Sequence, residues 1–331
     1  MMKDIQAVTN RGVVLPGVLF ASGKTDTVVI NITGIHGNFY SNPFYYNIGN
    51  TLSENGIDFV YALTNDAYPE IQTINVKTGE EVVIGSATED FNDTDDDIEA
   101  YLNFARKTGY KHIILSGHSL GVNKVIHYLS EHLNSDVEKF IFLSPANLEY
   151  MTRNVSEKKR EFIRQAEKNG AGNKILPFYF MYWLRCTAHT AYQWLFEPTL
   201  RNVHVEKDGD FSQAEKITKS GAMFIGTLDN FTDGDPTEYL RNLNNHMRTK
   251  NQNQLIFIEG TEHTYRGHQQ EIADDSSSNT PLPAPIVRSH NNSAFFRYAN
   301  ALPLLMIREI NFMFPKLLTA SREGFFTALL S

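Results

Sequence analysis

The chain has little of what would commit it to several common classes. Cys186 is its only cysteine, so no internal disulfide can form and nothing points to an oxidising compartment. No uncharged apolar run reaches the roughly 18 residues that a transmembrane helix needs. Residues 1–20 include Asp4 and Arg11 and lack an apolar core followed by a small-residue cleavage site, so a cytoplasmic location is expected. Positive charge is in deficit. The 30 lysines and arginines stand against 38 acidic residues with no basic run, which argues against a nucleic-acid partner, because phosphate binding needs a basic surplus on some face. Internal repeats are absent. What remains is ordinary globular material, 41% hydrophobic over 331 residues, enough for one large α/β sheet and its helices.

The organising stretch is residues 111–129, KHIILSGHSLGVNKVIHYL. An apolar, β-branched run enters Gly117-His118-Ser119-Leu120-Gly121, and a helical pattern through Val122, Val125, Ile126 and Leu129 leaves it. A serine at such a strand–turn–helix corner is held out on a strained backbone, and the two glycines let strand and helix close around it. This context makes Ser119 the candidate nucleophile.

Strand and helix patterns alternate from residue 27 to residue 275, which predicts a doubly wound, mainly parallel sheet. Strands are expected over 13–20, 27–33, 58–63, 113–115, 139–144, 222–225 and 254–258, with helices near 43–55, 94–105 and 237–248. Residues 70–84 alternate around Lys77-Thr78-Gly79 and read as an inserted hairpin. Thr94 and Asp97 have capping-box spacing. The acidic run from Asp93 to Asp97 is no EF-hand, because Ile98 stands where glycine is required and Phe104 where the terminal glutamate is needed. No metal site is expected.

Residues 1–147 and 221–275 therefore form the expected core, and 148–220 an inserted helical cap rich in aromatic side chains. Ligand pockets are generally lined by such residues, so Phe180, Tyr182 and Trp183 of the cap, with Phe39 and Tyr40 of the loop after the second strand, are the candidate substrate contacts. Residues 276–293 are linker-like, rich in Ser and Pro. Residues 294–331 are apolar and expected to be helical. That tail could dock on the body, join a second copy in a homo-oligomer, or lie on a membrane surface; docking fits its mixed charges and prolines best.

A serine hydroxyl needs a base, and a histidine backed by a carboxylate supplies one. His263 follows the last strand closely and is preferred to His268. Asp229 directly follows the strand at 222–225 and is preferred to Asp233 and Asp235. The backbone N–H of Leu120 would meet the developing oxyanion, and that of Asn38 is the best candidate for a second donor.

Gly117-His118-Ser119-Leu120-Gly121, His36-Gly37, Gly226-x-x-Asp229 and Gly260-x-x-His263 resemble the α/β-hydrolase superfamily over roughly residues 13–275. The hairpin insertion, the acidic helix and the GHSLG-x-N-K-V-x-x-Y-L run are loosely similar to the branch containing fungal siderophore esterases. The resemblance implies a cofactor-free serine hydrolase acting on small-molecule esters through an acyl-enzyme, without a metal. Two features depart from that pattern: the cap is unusually aromatic, and the closing helix after His263 is expected to stop at Asp275. The leading expectation is a carboxylester hydrolase for a sizeable, partly hydrophobic or macrocyclic ester. A thioesterase or amidase could use the same residues, a ligand-binding protein could use the same scaffold, and an interaction protein could depend on the apolar tail.

Overall fold

The computed structural model describes residues 1–38 and 41–280. The apolar tail expected at residues 294–331 and most of the linker before it lie outside that range. Strands β1 (Met2–Val8) and β2 (Val14–Phe20) open the chain as an antiparallel pair. β1 carries no apolar alternation, since most of its side chains are exposed; only its backbone ladder, from Met2 opposite Phe20 to Val8 opposite Val14, makes it a strand.

Next come β3 (Thr27–Ile32), α1 (Phe44–Glu54) and β4 (Asp58–Ala62), then β5 (Ile71–Asn75) and β6 (Glu80–Ile84). The last two pair antiparallel as the expected hairpin. α2 (Thr94–Thr108) leads to β7 (His112–Ser119), α3 (Leu120–Glu131) and β8 (Val137–Pro145). After the cap, β9 (Gly221–Gly226), α8 (Pro236–His246), β10 (Gln254–Ile258) and α9 (Gln269–Ser278) complete the described chain.

Eight strands form one sheet in the order β1-β2-β4-β3-β7-β8-β9-β10. Every pair from β4 to β10 is parallel. The β-branched runs are explained by burial on both faces. Val28, Ile30, Ile113, Leu115, Phe140 and Phe142 face the core shared with α2, α3 and α8, whereas Val29, Ile114, Ile141 and Phe224 face the core shared with α1 and α9. The chain is thus wound on both sides of a mixed, mostly parallel sheet, as expected.

Three local expectations change. The capping box at Thr94 does not form, because Asp97 meets the Arg11 guanidinium at 2.7 Å and accepts the Asn65 N–H at 3.2 Å. Arg11 also pairs with Asp93 at 2.7 Å, so the acidic run faces a cation of its own chain. The closing helix α9 continues beyond Asp275, with Ile272, Ala273 and Ser276 buried; Ser276 to Ser278 are helix rather than linker.

Residues 148–220, the segment expected as a helical cap and called the cap for that reason, are only partly helical. They hold α4 (Leu148–Thr152), α5 (Glu157–Lys168), α6 (Ala188–Phe196) and α7 (Ser212–Lys216), but between α5 and α6 the chain folds back through isolated antiparallel bridges, Ile175 to Thr187 and Phe180 to Leu184. Aromatic side chains suit either arrangement, so composition alone cannot separate them. Phe91, Leu120 and Ala146 of the body share one apolar cluster with Ile163, Phe180, Leu184 and Trp194 of the cap.

Candidate active site

Parallel strands end on the same edge of a sheet, and the loops after β3, β7, β9 and β10 meet there. The corner at Ser119 is built by close backbone approach. A Cβ on Gly121 would sit 2.2 Å from the Ile32 carbonyl oxygen, and one on Gly117 would sit 2.4 Å from that of Gly121. Nothing larger than glycine lets α3 start so close to β3 and β7. Between them Ser119 takes φ 55° and ψ −126°, a conformation costly for a residue with a side chain. The Leu120 N–H follows as the first donor of α3, one of the groups a helix N-terminus leaves without an intrahelical partner.

The loop after β3 lies against this corner. A Cβ on Gly34 would come within 2.7 Å of the Ser119 Cβ and 3.3 Å of its Oγ. The loop is largely tied to itself and to residues 65–67: the His36 N–H donates to the Asp66 carbonyl at 2.9 Å and the Gly37 N–H to the Gly34 carbonyl at 2.8 Å. The Asn38 N–H is also engaged, by the His36 carbonyl at 2.9 Å and the Ser41 hydroxyl at 3.0 Å. It is therefore not an open donor. Among the described residues the Ile35 N–H makes no hydrogen bond, and it directly follows the glycine that touches Ser119. The motif could not reveal this, because the choice among the N–H groups of the loop depends on how it bonds to itself.

The three candidate aspartates have three roles. Asp229 is buried and meets His263 Nδ1 with both oxygens, at 2.9 and 3.1 Å. Asp233 pairs at the surface with Arg153 at 2.9 Å. Asp235 caps α8 through the Thr237 and Glu238 N–H groups. Burial alone would raise the Asp229 carboxyl, but the His263 imidazole, helped by the Phe231 N–H and the Ser144 hydroxyl, holds it below the usual carboxylate range. Asp229 is thus an anion that orients His263 Nδ1–H toward itself and leaves Nε2 as the acceptor. The loops carrying the pair are stitched together, Leu228 N–H to the Thr261 carbonyl at 2.9 Å and Gly260 N–H to the Thr227 hydroxyl at 2.9 Å. His268, the competing base, instead bonds Glu271 at 2.7 Å on the surface.

Ser119 and His263 are linked through a neighbour. His118 is buried and its Nε2 lies 3.0 Å from the His263 carbonyl oxygen. The Ser119 hydroxyl and the His263 ring are not hydrogen-bonded to each other among the described residues, as is common before substrate binds. Such a set can deprotonate a hydroxyl at a sheet edge and offer backbone donors to a developing oxyanion.

Of the expected substrate contacts, Phe39 and Tyr40 lie outside the described residues. Phe180 is fully buried in the cap cluster. Tyr182 is 68% exposed at a turn where it and Met181 have positive φ, with the Lys159 ammonium 5.1 Å from its ring centre. Trp183 is half-buried and stands edge-on to His36, ring centres 5.5 Å apart. It is a cap aromatic that reaches the loop beside Ser119. Among the described residues one group brings several metal-ligand atoms together, Glu149, His204 and Glu206. It belongs to the cap, and Glu149 there already lies 4.0 Å from the Arg201 guanidinium.

The fold recurs in solved structures. The Butyrivibrio proteoclasticus protein Est1E, in a structure titled as bound to ferulic acid, aligns with a TM-score of 0.56 at 17% identity, covering 83% of this chain and 96% of that one. GrgF from Penicillium sp. sh18, described as an alpha/beta hydrolase, aligns with a TM-score of 0.57 at 15% identity, covering 84% and 99%. A monoacylglycerol lipase from Paleococcus ferrophilus aligns with a TM-score of 0.54 at 14% identity, covering 84% and 97%. The chain therefore has the α/β-hydrolase fold. No curated protein matches the sequence. Residues 18–273 match the model of DUF1749, described as a protein of unknown function, and the chain belongs to that family.

Proposed function

We propose that the protein is a serine hydrolase that cleaves carboxylic esters. The observation that carries this reading is the buried, two-oxygen contact of Asp229 with His263 Nδ1, set at the sheet edge where Ser119 is held at φ 55°. An ionised carboxylate that fixes a histidine tautomer beside a strained serine has an obvious use as a general base.

In this reading His263 Nε2 takes the Ser119 proton as Oγ attacks the ester carbonyl, while Asp229 stays ionised and stabilises the imidazolium. The Leu120 and Ile35 N–H groups receive the oxyanion. His263 then protonates the departing alcohol, and a water activated by the same ring releases the acid from Ser119. Trp183 and the exposed Leu228 beside Asp229 favour a partly hydrophobic substrate. Macrocyclic, siderophore-like esters are one arm of the substrate panel, because of the loose sequence likeness to that branch, and thioesters and amides are two others. The buried free thiol of Cys186 suits a reducing compartment such as the cytoplasm.

The test is labelling by a fluorophosphonate probe, wild type against Ser119→Ala, followed by nitrophenyl esters of increasing acyl length. Labelling and turnover that vanish together in the variant support the reading. A folded wild type that takes up no probe and cleaves no ester overturns it.

A further inference from the structure

Outside the groups given a chemical step above, the buried polar side chain closest to that chemistry is His118. It sits one residue before Ser119, yet its imidazole is enclosed, 2% exposed, between Phe44, Tyr45, His263 and Tyr265. Both ring nitrogens are used. Nε2 lies 3.0 Å from the His263 carbonyl oxygen, and Nδ1 lies 2.7 Å from the Tyr45 hydroxyl. A carbonyl only accepts, so Nε2 carries the proton, Nδ1 is the acceptor and the Tyr45 hydroxyl donates to it.

We propose that His118 is a positioning residue for His263, holding the main chain of that residue at a set distance from Ser119, with Tyr45 fixing the tautomer that lets it do so. This rests on the hydrolase reading above.

The geometry supports it in three ways. First, His263 stands in a loop between β10 and α9, outside any strand or helix, and His118 is the donor that its carbonyl receives among the described residues. Because His118 and Ser119 are consecutive, that bond ties the backbone bearing the nucleophile to the backbone bearing the base. Secondly, Tyr45 lies on α1, and its hydroxyl also faces the backbone of Gly34 in the loop beside Ser119. Thirdly, burial and the neighbouring His263 push His118 down to about 3. A neutral ring keeps accepting from Tyr45 and places no second positive charge beside His263, 5.0 Å away between ring centres, when that ring takes the serine proton.

The experiment compares His118→Leu, His118→Gln and Tyr45→Phe in the full chain, by steady-state ester hydrolysis and by the rate of fluorophosphonate labelling. Glutamine can still donate to the His263 carbonyl from Nε2, whereas leucine fills similar space and cannot. His118→Leu is expected to lower kcat by about 10- to 100-fold, the scale of a base displaced by a fraction of its reach. KM should stay within about twofold, as befits a loss felt in the transition state rather than in binding. His118→Gln should recover most of the lost kcat, and Tyr45→Phe should lose a smaller part of it. Equal losses in the Leu and Gln variants would mean that His118 only fills space and would overturn the proposal, as would a change confined to KM. If His118→Leu does not fold, Tyr45→Phe, which removes a single hydroxyl, decides the matter: an unaltered kcat and labelling rate sink it. An inert wild type is a different outcome, because it overturns the hydrolase reading itself and this proposal with it.

Discussion

Two buried groups that each join a carboxylate to a nitrogen side chain sit near the elbow helix α3 and are arranged for opposite ends. One is the Asp229–His263 pair at the sheet edge. The other lies five residues past Ser119, where the Lys124 ammonium meets Asp66 at 2.8 Å and Glu89 at 2.6 Å, all three nearly inaccessible. His263 keeps 8% of its surface exposed, so its free nitrogen can exchange a proton with a bound group. The lysine group is sealed. Burial, together with the charge on Asp66, raises the Glu89 carboxyl to about 8, so near neutrality it holds its proton, while Lys124 stays charged.

What the sealed group does follows from what its members touch. The Asp66 carbonyl receives the His36 N–H, and the Glu89 carbonyl receives the Thr190 hydroxyl of α6 at 2.8 Å. It therefore joins the elbow helix, the loop beside Ser119 and the cap. A carboxylate–imidazole pair with one partner open to solvent can pass a proton and suits chemistry, whereas a charged group sealed on every side can only hold parts in place.

Four measurements would break or sharpen this contrast. Asp229→Asn should lower kcat by about 10⁴-fold, since the wrong tautomer of His263 would be favoured, with the far-UV circular dichroism unchanged; a small loss would remove the pair from the chemistry. Lys124→Met should instead act on stability, costing about 3–5 kcal/mol in urea denaturation because the buried Asp66 carboxylate, joined by that of Glu89 at alkaline pH, loses its cation. That cost should shrink on going from pH 9 to pH 6, where Glu89 is protonated and less negative charge is left unpaired.

Gly34→Ala, which puts a methyl 2.9 Å from the His118 carbonyl oxygen as well as against Ser119, should lower kcat by about 10- to 100-fold and, because that carbonyl is main chain, lower the melting temperature as well. The last effect is on acid stability. His118 titrates near 3 when folded against 6.5 when free, so between these values the unfolded chain binds the extra proton. Stability should therefore fall as the pH drops from 6.5 toward 3, and His118→Gln should flatten that part of the profile.

The meeting of Asp229 with His263 was legible because both follow strands whose apolar runs are plain, and because parallel strands bring the loops at one end together. The edge strand β1 was not, since a ladder whose side chains are mostly exposed needs no apolar alternation. Nor could the cap's aromatic stretch show that Phe180 is interior, Tyr182 exterior and Trp183 beside His36. All three are large and apolar, and their separation depends on a fold-back held by isolated bridges.

Local pattern thus specified the sheet, the glycine-bounded serine and the strand ends, because backbone propensity and two-sided burial act over a few neighbouring residues. The partner of each buried charge was settled only by packing. Asp229, Asp233 and Asp235 share one loop, yet one orients a histidine, one pairs with a surface arginine and one caps a helix. The same holds for Lys124, unremarkable in the helical pattern of α3 until Asp66 and Glu89, distant in sequence, close on it. Charges are satisfied across space, and chain order carries no record of which side chains will share a site from which water is excluded.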